Sequence, residues 1–207
     1  MTDIILASGS RIRAELLANA GLTFRVDPAK VDERAVEAPL LKSGFPPDDI
    51  ARVLAEAKAQ ETSARNPGAL VIGADQVLEF DGRRLTKPED MEAARRQLLA
   101  MSGKRHQLHS SAAIARDGET VWCGTATVHM KMWPFGPEFV GRYLAAAGDV
   151  VLSSVGAYQL EGRGVQLFEA IEGDYFPVLG LPLLVAAQPP TPSQTLDRVG
   201  VEQRIGE

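Results

Sequence analysis

The sequence holds one cysteine, Cys123, in 207 residues. That excludes an internal disulfide and a Cys-rich zinc site, and leaves Cys123 as a small, partly buried strand residue. No apolar run approaches the roughly 20 residues needed to cross a bilayer. The opening Met1-Thr2-Asp3-Ile4-Ile5-Leu6 has no basic stretch, and its apolar part is too short for a secretory leader, so a cytoplasmic location is expected. Positive charge is also in short supply: 22 Lys and Arg against 27 Asp and Glu give a net charge of −5. Nothing there suggests the basic face of a nucleic-acid binder, although a few local cations can hold a small anionic ligand. G-x-G-x-x-G, G-x-x-x-x-G-K-[ST] and G-x-S-x-G motifs are all missing. A dinucleotide-dependent oxidoreductase therefore has only a strand–loop–helix opening in its favour.

What remains is an ordinary globular composition, 45% hydrophobic and 24% charged, of a length that fits one domain or a compact pair of lobes. Ile4–Ala7 reads as a buried strand, Ser8-Gly9-Ser10 as a small hydroxyl loop, and Ile12, Leu16, Leu17 and Ala20 as a helix stopped by Gly21. Residues 23–47 show little periodicity and are expected to be mostly loop. A second helix starts at Asp48 or Asp49 and ends at Asn66-Pro67-Gly68. A buried strand follows over 69–74, runs into Asp75-Gln76 and resumes at Val77-Leu78. Asp81-Gly82 marks a hairpin turn. A third helix is predicted over 89–101, an antiparallel strand pair near 105–115 and 119–132, and a fourth helix over 136–146. Glycines are dense from Val155 onward, as in tight turns near a ligand. A short helix begins near Leu181, and Pro189, Pro190 and Pro192 mark a loose tail over 188–207.

Asp75 carries the most information. It interrupts an apolar strand, and an unpaired buried carboxylate is so costly that it needs a metal, a Lys or Arg, or an opening cleft. The bland alternative is a strand-end Asp capping a turn. The loop Ser8-Gly9-Ser10 precedes a helix start whose free N–H groups favour an anion. Arg13 in that helix's first turn opposes the dipole, a mismatch relieved if an anion sits between. Lys58 and Lys87 are further candidate cations; the alternatives are a solvated helix-face lysine at 58 and a loop lysine held by Pro88 at 87. Glu33 could be a second metal carboxylate or an exposed loop acid. His106 and His109 lie three apart in a strand, face opposite sides and cannot easily share an ion.

These residues fall in an order that resembles the Maf family. The matching stretches are Leu6-Ala7-Ser8-Gly9-Ser10-x-x-Arg13-x-Glu15-Leu16-Leu17, Val31-Asp32-Glu33, Ala57-Lys58-Ala59, Gly73-Ala74-Asp75-Gln76-Val77, Lys87-Pro88 and Ser102-Gly103-x-x-His106. Gly156-Ala157-Tyr158-x-x-Glu161-Gly162 and Ile171-Glu172-Gly173-Asp174-Tyr175-x-x-Val178-x-Gly180-Leu181-Pro182-Leu183 complete the series. The resemblance spans about residues 3–187. It implies an α/β, Maf/inosine-triphosphatase-like fold: an elongated mixed sheet flanked by helices, with two lobes of one domain (1–187) around a central cleft.

It also implies a nucleoside triphosphate pyrophosphatase that cuts between the α- and β-phosphates, needs Mg²⁺ or Mn²⁺, and is often a homodimer. Asp75 would then hold the metal or take a proton from the attacking water, with Glu33 assisting at the metal. Ser8, Ser10, Arg13, Lys58 and Lys87 would cradle the triphosphate. Two features look like the branch that acts on 7-methyl-GTP rather than the one preferring dTTP and UTP: Glu161 in place of Gln, and Gln76 in place of Thr. A carboxylate at 161 would accept hydrogen bonds from guanine and favour the charge that 7-methylation adds. One departure stands out. Arg11-Ile12 replaces the family's usual Pro-Arg, so a cation is missing at 12. With the Pro-rich tail, this motivates a competing reading, a non-catalytic nucleotide-binding regulator of cell division or septum formation.

Overall fold

The computed structural model describes residues 3–187, so the predicted tail over 188–207 lies outside them. Seven strands form one mixed sheet: β1 (Ile4–Leu6), β2 (Arg25–Val26), β3 (Leu70–Phe80), β4 (Arg83–Leu85), β5 (Arg105–Arg116), β6 (Glu119–Met132) and β7 (Phe168–Glu172). The order is β2-β1-β3-β5-β6-β7, with β4 on the free side of β3. β1 is parallel to β2 and β3, and the remaining pairs are antiparallel. Asp81-Gly82 and Asp117-Gly118 turn the two hairpins with positive φ at all four residues, the geometry that matches strand twist and that Asp-Gly tolerates best. The helices are α1 (Arg11–Asn19), α2 (Glu33–Lys42), α3 (Pro47–Arg65), α4 (Met91–Met101), α5 (Pro137–Ala147) and the short α6 (Tyr175–Val178) and α7 (Leu183–Ala186). No helix among the described residues is long and apolar enough to cross a membrane.

The expected loop over 23–47 is corrected by α2. Asp32 caps that helix by accepting from the Ala35 N–H at 3.1 Å, and Val36 and Leu40 pack on Ile50, Leu54 and Val77. Pro39 lies inside it, where proline removes a helical hydrogen bond, and that obscures the periodicity. β3 also differs from expectation, because it runs unbroken through Asp75.

The register shows why an acid is tolerated in that strand. On one face, Ala74 and Ala112 join Leu6, Leu16 and Leu17 in one core cluster, while Leu78, Leu108 and Val128 belong to a larger one reaching α4 and α5. Between them lies Gln76 opposite Ser110. On the other face, under α3, Ala113 packs with Ala55 and Ala59, and Val77 with Ile50 and Leu54. Between those lies Asp75, opposite Ser111 and then Thr125. A polar row thus crosses the sheet and divides its apolar core.

Candidate functional site

β3 is left open beside this row. β1 pairs with it as far as Leu6 opposite Ile72, and β4 joins only at Leu78. The intervening stretch of β3 has no strand neighbour on that side. The chain leaving β1 through Ser8 crosses this gap. Arg13 fills part of it: Nη1 donates to the Ala74 carbonyl at 2.9 Å, where a strand partner would otherwise bond, and to Ser8 Oγ at 3.2 Å. Its Nε donates to the Gly180 carbonyl at 2.8 Å. The dipole mismatch read from the sequence therefore has an internal resolution, since the guanidinium turns into the sheet gap. Burial lowers its pKa, against the pull of Asp75 and Glu33. Ser10 caps α1 by accepting from the Arg13 N–H at 3.5 Å.

Asp75 meets α3 on the sheet face beside this gap. Gly73, two residues earlier, lets the helix lie directly on the strand: a Cβ there would come within 2.3 Å of the Ala55 carbonyl oxygen. That approach brings Lys58 onto the site. Its Nζ donates to Asp75 Oδ1 at 2.6 Å and lies 2.8 Å from Glu33 Oε1. Glu33 opens α2, so one ammonium joins two carboxylates from separate elements. Burial pushes Asp75 above the ordinary carboxylate range, against Lys58 and Arg13. For Glu33 burial also pushes upward, but the Lys58 hydrogen bond and the charges of Lys58, Lys87 and Arg13 outweigh it and hold the group below its usual value.

Ser8, Arg13, Glu33, Lys58 and Asp75 thus converge, and exposed Lys87, in the loop after β4, acts on Glu33 through its charge. Glu161 is exposed, and its charge adds to burial in raising the pKa of the Tyr143 phenol. Arg11 does not replace the missing cation at 12. It points outward and pairs with Glu15 at 3.3 Å. Sequence reading marked Gln76 only as a branch feature, and it missed Glu37 and Arg84. The Gln76 amide donates to Ser110 Oγ and to the Pro177 and Val178 carbonyls, fixing α6 to the sheet. Glu37, one turn beyond Glu33, is buried and paired with Arg84. Burial raises the Glu37 pKa and the charges of Asp75 and Glu33 raise it further, against Arg84. The helical spacing of Val36, Glu37 and Leu40 after an Asp32 cap was the available signal.

Fold and site together define an α/β protein whose charged, oxygen-rich site sits where the central strand of a mixed sheet lacks a neighbour. The chain belongs to the Maf family: the family model described as Maf-like protein matches residues 3–188. A protein of Mesorhizobium japonicum named 7-methyl-GTP pyrophosphatase is 58% identical over 185 residues, 89% of this chain and 93% of that one. One of Brucella suis with the same name is 56% identical over 181 residues, 87% and 91% of the two chains. A Ruegeria pomeroyi relative named nucleoside triphosphate pyrophosphatase is 48% identical over 181 residues, again 87% and 91%. Among solved structures, the Staphylococcus aureus Ham1 protein aligns at 19% identity and a TM-score of 0.38, covering 63% of this chain and 72% of that one, which is too slight to carry argument.

Proposed function

We propose that this protein hydrolyses a nucleoside triphosphate between its α- and β-phosphates, releasing the nucleoside monophosphate and pyrophosphate, with 7-methyl-GTP preferred. The observation that carries the reading is the Asp75–Lys58–Glu33 couple beside Arg13 and Ser8 at the strand gap, in a chain about half identical to proteins named for that activity. Phosphoryl transfer depends on positioning and charge neutralisation rather than covalent catalysis. Asp75, bonded to Lys58 at the strand gap, takes the proton of the water that attacks the α-phosphorus. Lys58, Lys87, Arg13, Ser8 and Ser10 orient the phosphates and balance their charge. The polar row is then the floor of a cleft between two lobes of one domain.

The residues fit a divalent ion. Among the described residues no three His, Cys, Asp or Glu side chains form a metal-holding group. Two carboxylates that already share one cation suit Mg²⁺ or Mn²⁺, which take one or two protein carboxylates and fill the remaining positions with phosphate and water. Asp75 and Glu33 would hold the ion, which supplies charge neutralisation at the phosphates. Glu161 reads the base by accepting from guanine N–H groups. The family resemblance adds a homodimer, which light scattering would test.

The deciding experiment incubates the protein and Mg²⁺ with 7-methyl-GTP, UTP and dTTP and measures pyrophosphate. Fastest release from 7-methyl-GTP is expected. Orthophosphate alone, or no release at high enzyme concentration, refutes the reading, and tight binding without release favours the regulator.

A further inference from the structure

We infer that Glu37 and Arg84 are a positioning pair, tying α2 to β4 and thereby fixing Glu33 and Lys87 around the Asp75–Lys58 couple. The inference rests on the pyrophosphatase reading. Asp75 and Glu37 are the two buried carboxylates among the described residues, at 7% and 5% exposure. Glu37 lies four residues after Glu33 and therefore on the same side of α2. Its partner Arg84 sits in β4, opposite Glu79 of β3 and three residues before Lys87. The pair therefore links the element that supplies one candidate carboxylate to the element that leads into one candidate cation.

Two observations argue that this link does more than hold the fold. Apart from the Glu33–Lys58 bridge itself, α2 packs on α3 through the apolar Val36 and Leu40, and apolar contacts are non-directional. They keep the helix on the sheet without setting how far Glu33 advances toward Lys58. The pair itself is also costly. Glu37 is buried close to the charges of Asp75 and Glu33, and Arg84 Nε is buried without a hydrogen-bond partner among the described residues. Replacing a buried ion pair with apolar groups is often neutral or stabilising, so stability alone is a weak reason for one here. Arg84 also shares the wall of an open groove of about 390 Å³ with Lys87, Pro88 and Arg96, so its placement shapes the surface that Lys87 presents.

The test compares wild type with E37Q, R84M and R84K in the pyrophosphate assay, at a temperature where circular dichroism shows every chain folded. E37Q and R84M should lower kcat/KM by about tenfold or more, as loss of supporting contacts around a metal or phosphate site does. R84K keeps a cation within reach of Glu37 and should stay within about threefold of wild type. E37Q and R84M near wild type overturn the inference, and so does R84K as impaired as R84M. E37M/R84M covers the case in which a single change unfolds the chain, because it leaves no unpaired buried charge. It should fold and show the same loss, and wild-type turnover from it also overturns the inference. A wild type that releases no pyrophosphate sinks the underlying reading instead.

Discussion

Asp75 is held where a carboxylate is costly, under α3 and between two apolar patches, with a single ammonium bonded to it. Burial raises its pKa, so the folded protein binds that proton more readily than the unfolded chain does. The sign follows directly: stability from this group grows as pH falls and is lost as pH rises through the folded pKa. Asp75→Asn should therefore cut turnover by ~100-fold or more while leaving the melting temperature at neutral pH no lower than wild type. Steady-state kinetics and a thermal melt check the two halves, and near-normal turnover would remove Asp75 from the chemistry. Lys58→Met is expected to do the opposite to stability. It leaves Asp75 and Glu33 facing each other without their shared cation, and denaturant unfolding should show a loss of about 3 kcal/mol alongside lost activity. The low end of the usual range applies because Glu33 is half-exposed.

The helix that delivers Lys58 depends on one missing methyl. An added Cβ at Gly73 would strike the Ala55 carbonyl, the Ala59 nitrogen and the Ala59 methyl, all closer than 3 Å. Gly73→Ala should push α3 off the strand, cost about 1–3 kcal/mol in urea unfolding, and lower turnover more than that loss of folded protein explains. Unchanged kinetics would show that Lys58 tolerates the displacement. The same packing shows what the sequence could reveal. β3, β5, β6 and α3 were legible because long apolar runs and clear punctuation, such as Asn66-Pro67-Gly68 and Asp117-Gly118, set their limits. Glu33 was read as a candidate metal carboxylate but placed in a loop, since Pro39 hid the helix that aims it. The ion pair of Lys58 was legible as a need, because a strand acid requires a cation. Which cation would answer was not, because no spacing along one chain reveals that α3 lies on Gly73. Arg13 was singled out on its conflict with the helix dipole, and the structure resolves that conflict with a strand carbonyl, a partner no motif encodes.

His106 connects the larger core cluster to the pH range in which the protein holds together. It is 3% exposed on β5, with the rings of Tyr158 and Phe168 at centroid distances of 5.8 and 5.9 Å. Its Nε2 lies 2.8 Å from the Tyr158 hydroxyl, which donates to Met130 Sδ at 3.6 Å, and its Nδ1 is buried without a partner among the described residues. An orphaned acceptor costs less than an orphaned N–H, so the neutral ring carries its proton on Nε2 and donates it to Tyr158. Burial lowers its pKa to about 4. The unfolded chain titrates that group near 6.5, so between these values it holds more protons than the folded one, and stability falls as pH falls. The full interval corresponds to about 3 kcal/mol from this single residue. Urea unfolding at steps from pH 7 to pH 4 should show that loss on top of any contribution from carboxylates. His106→Leu should begin from a lower plateau at pH 7, because Tyr158 loses its donor, and should then decline less steeply. Curves for the two proteins that run parallel down to pH 4 would mean that His106 takes up its proton alike in the folded and unfolded chains, so that its burial does not set the pH dependence.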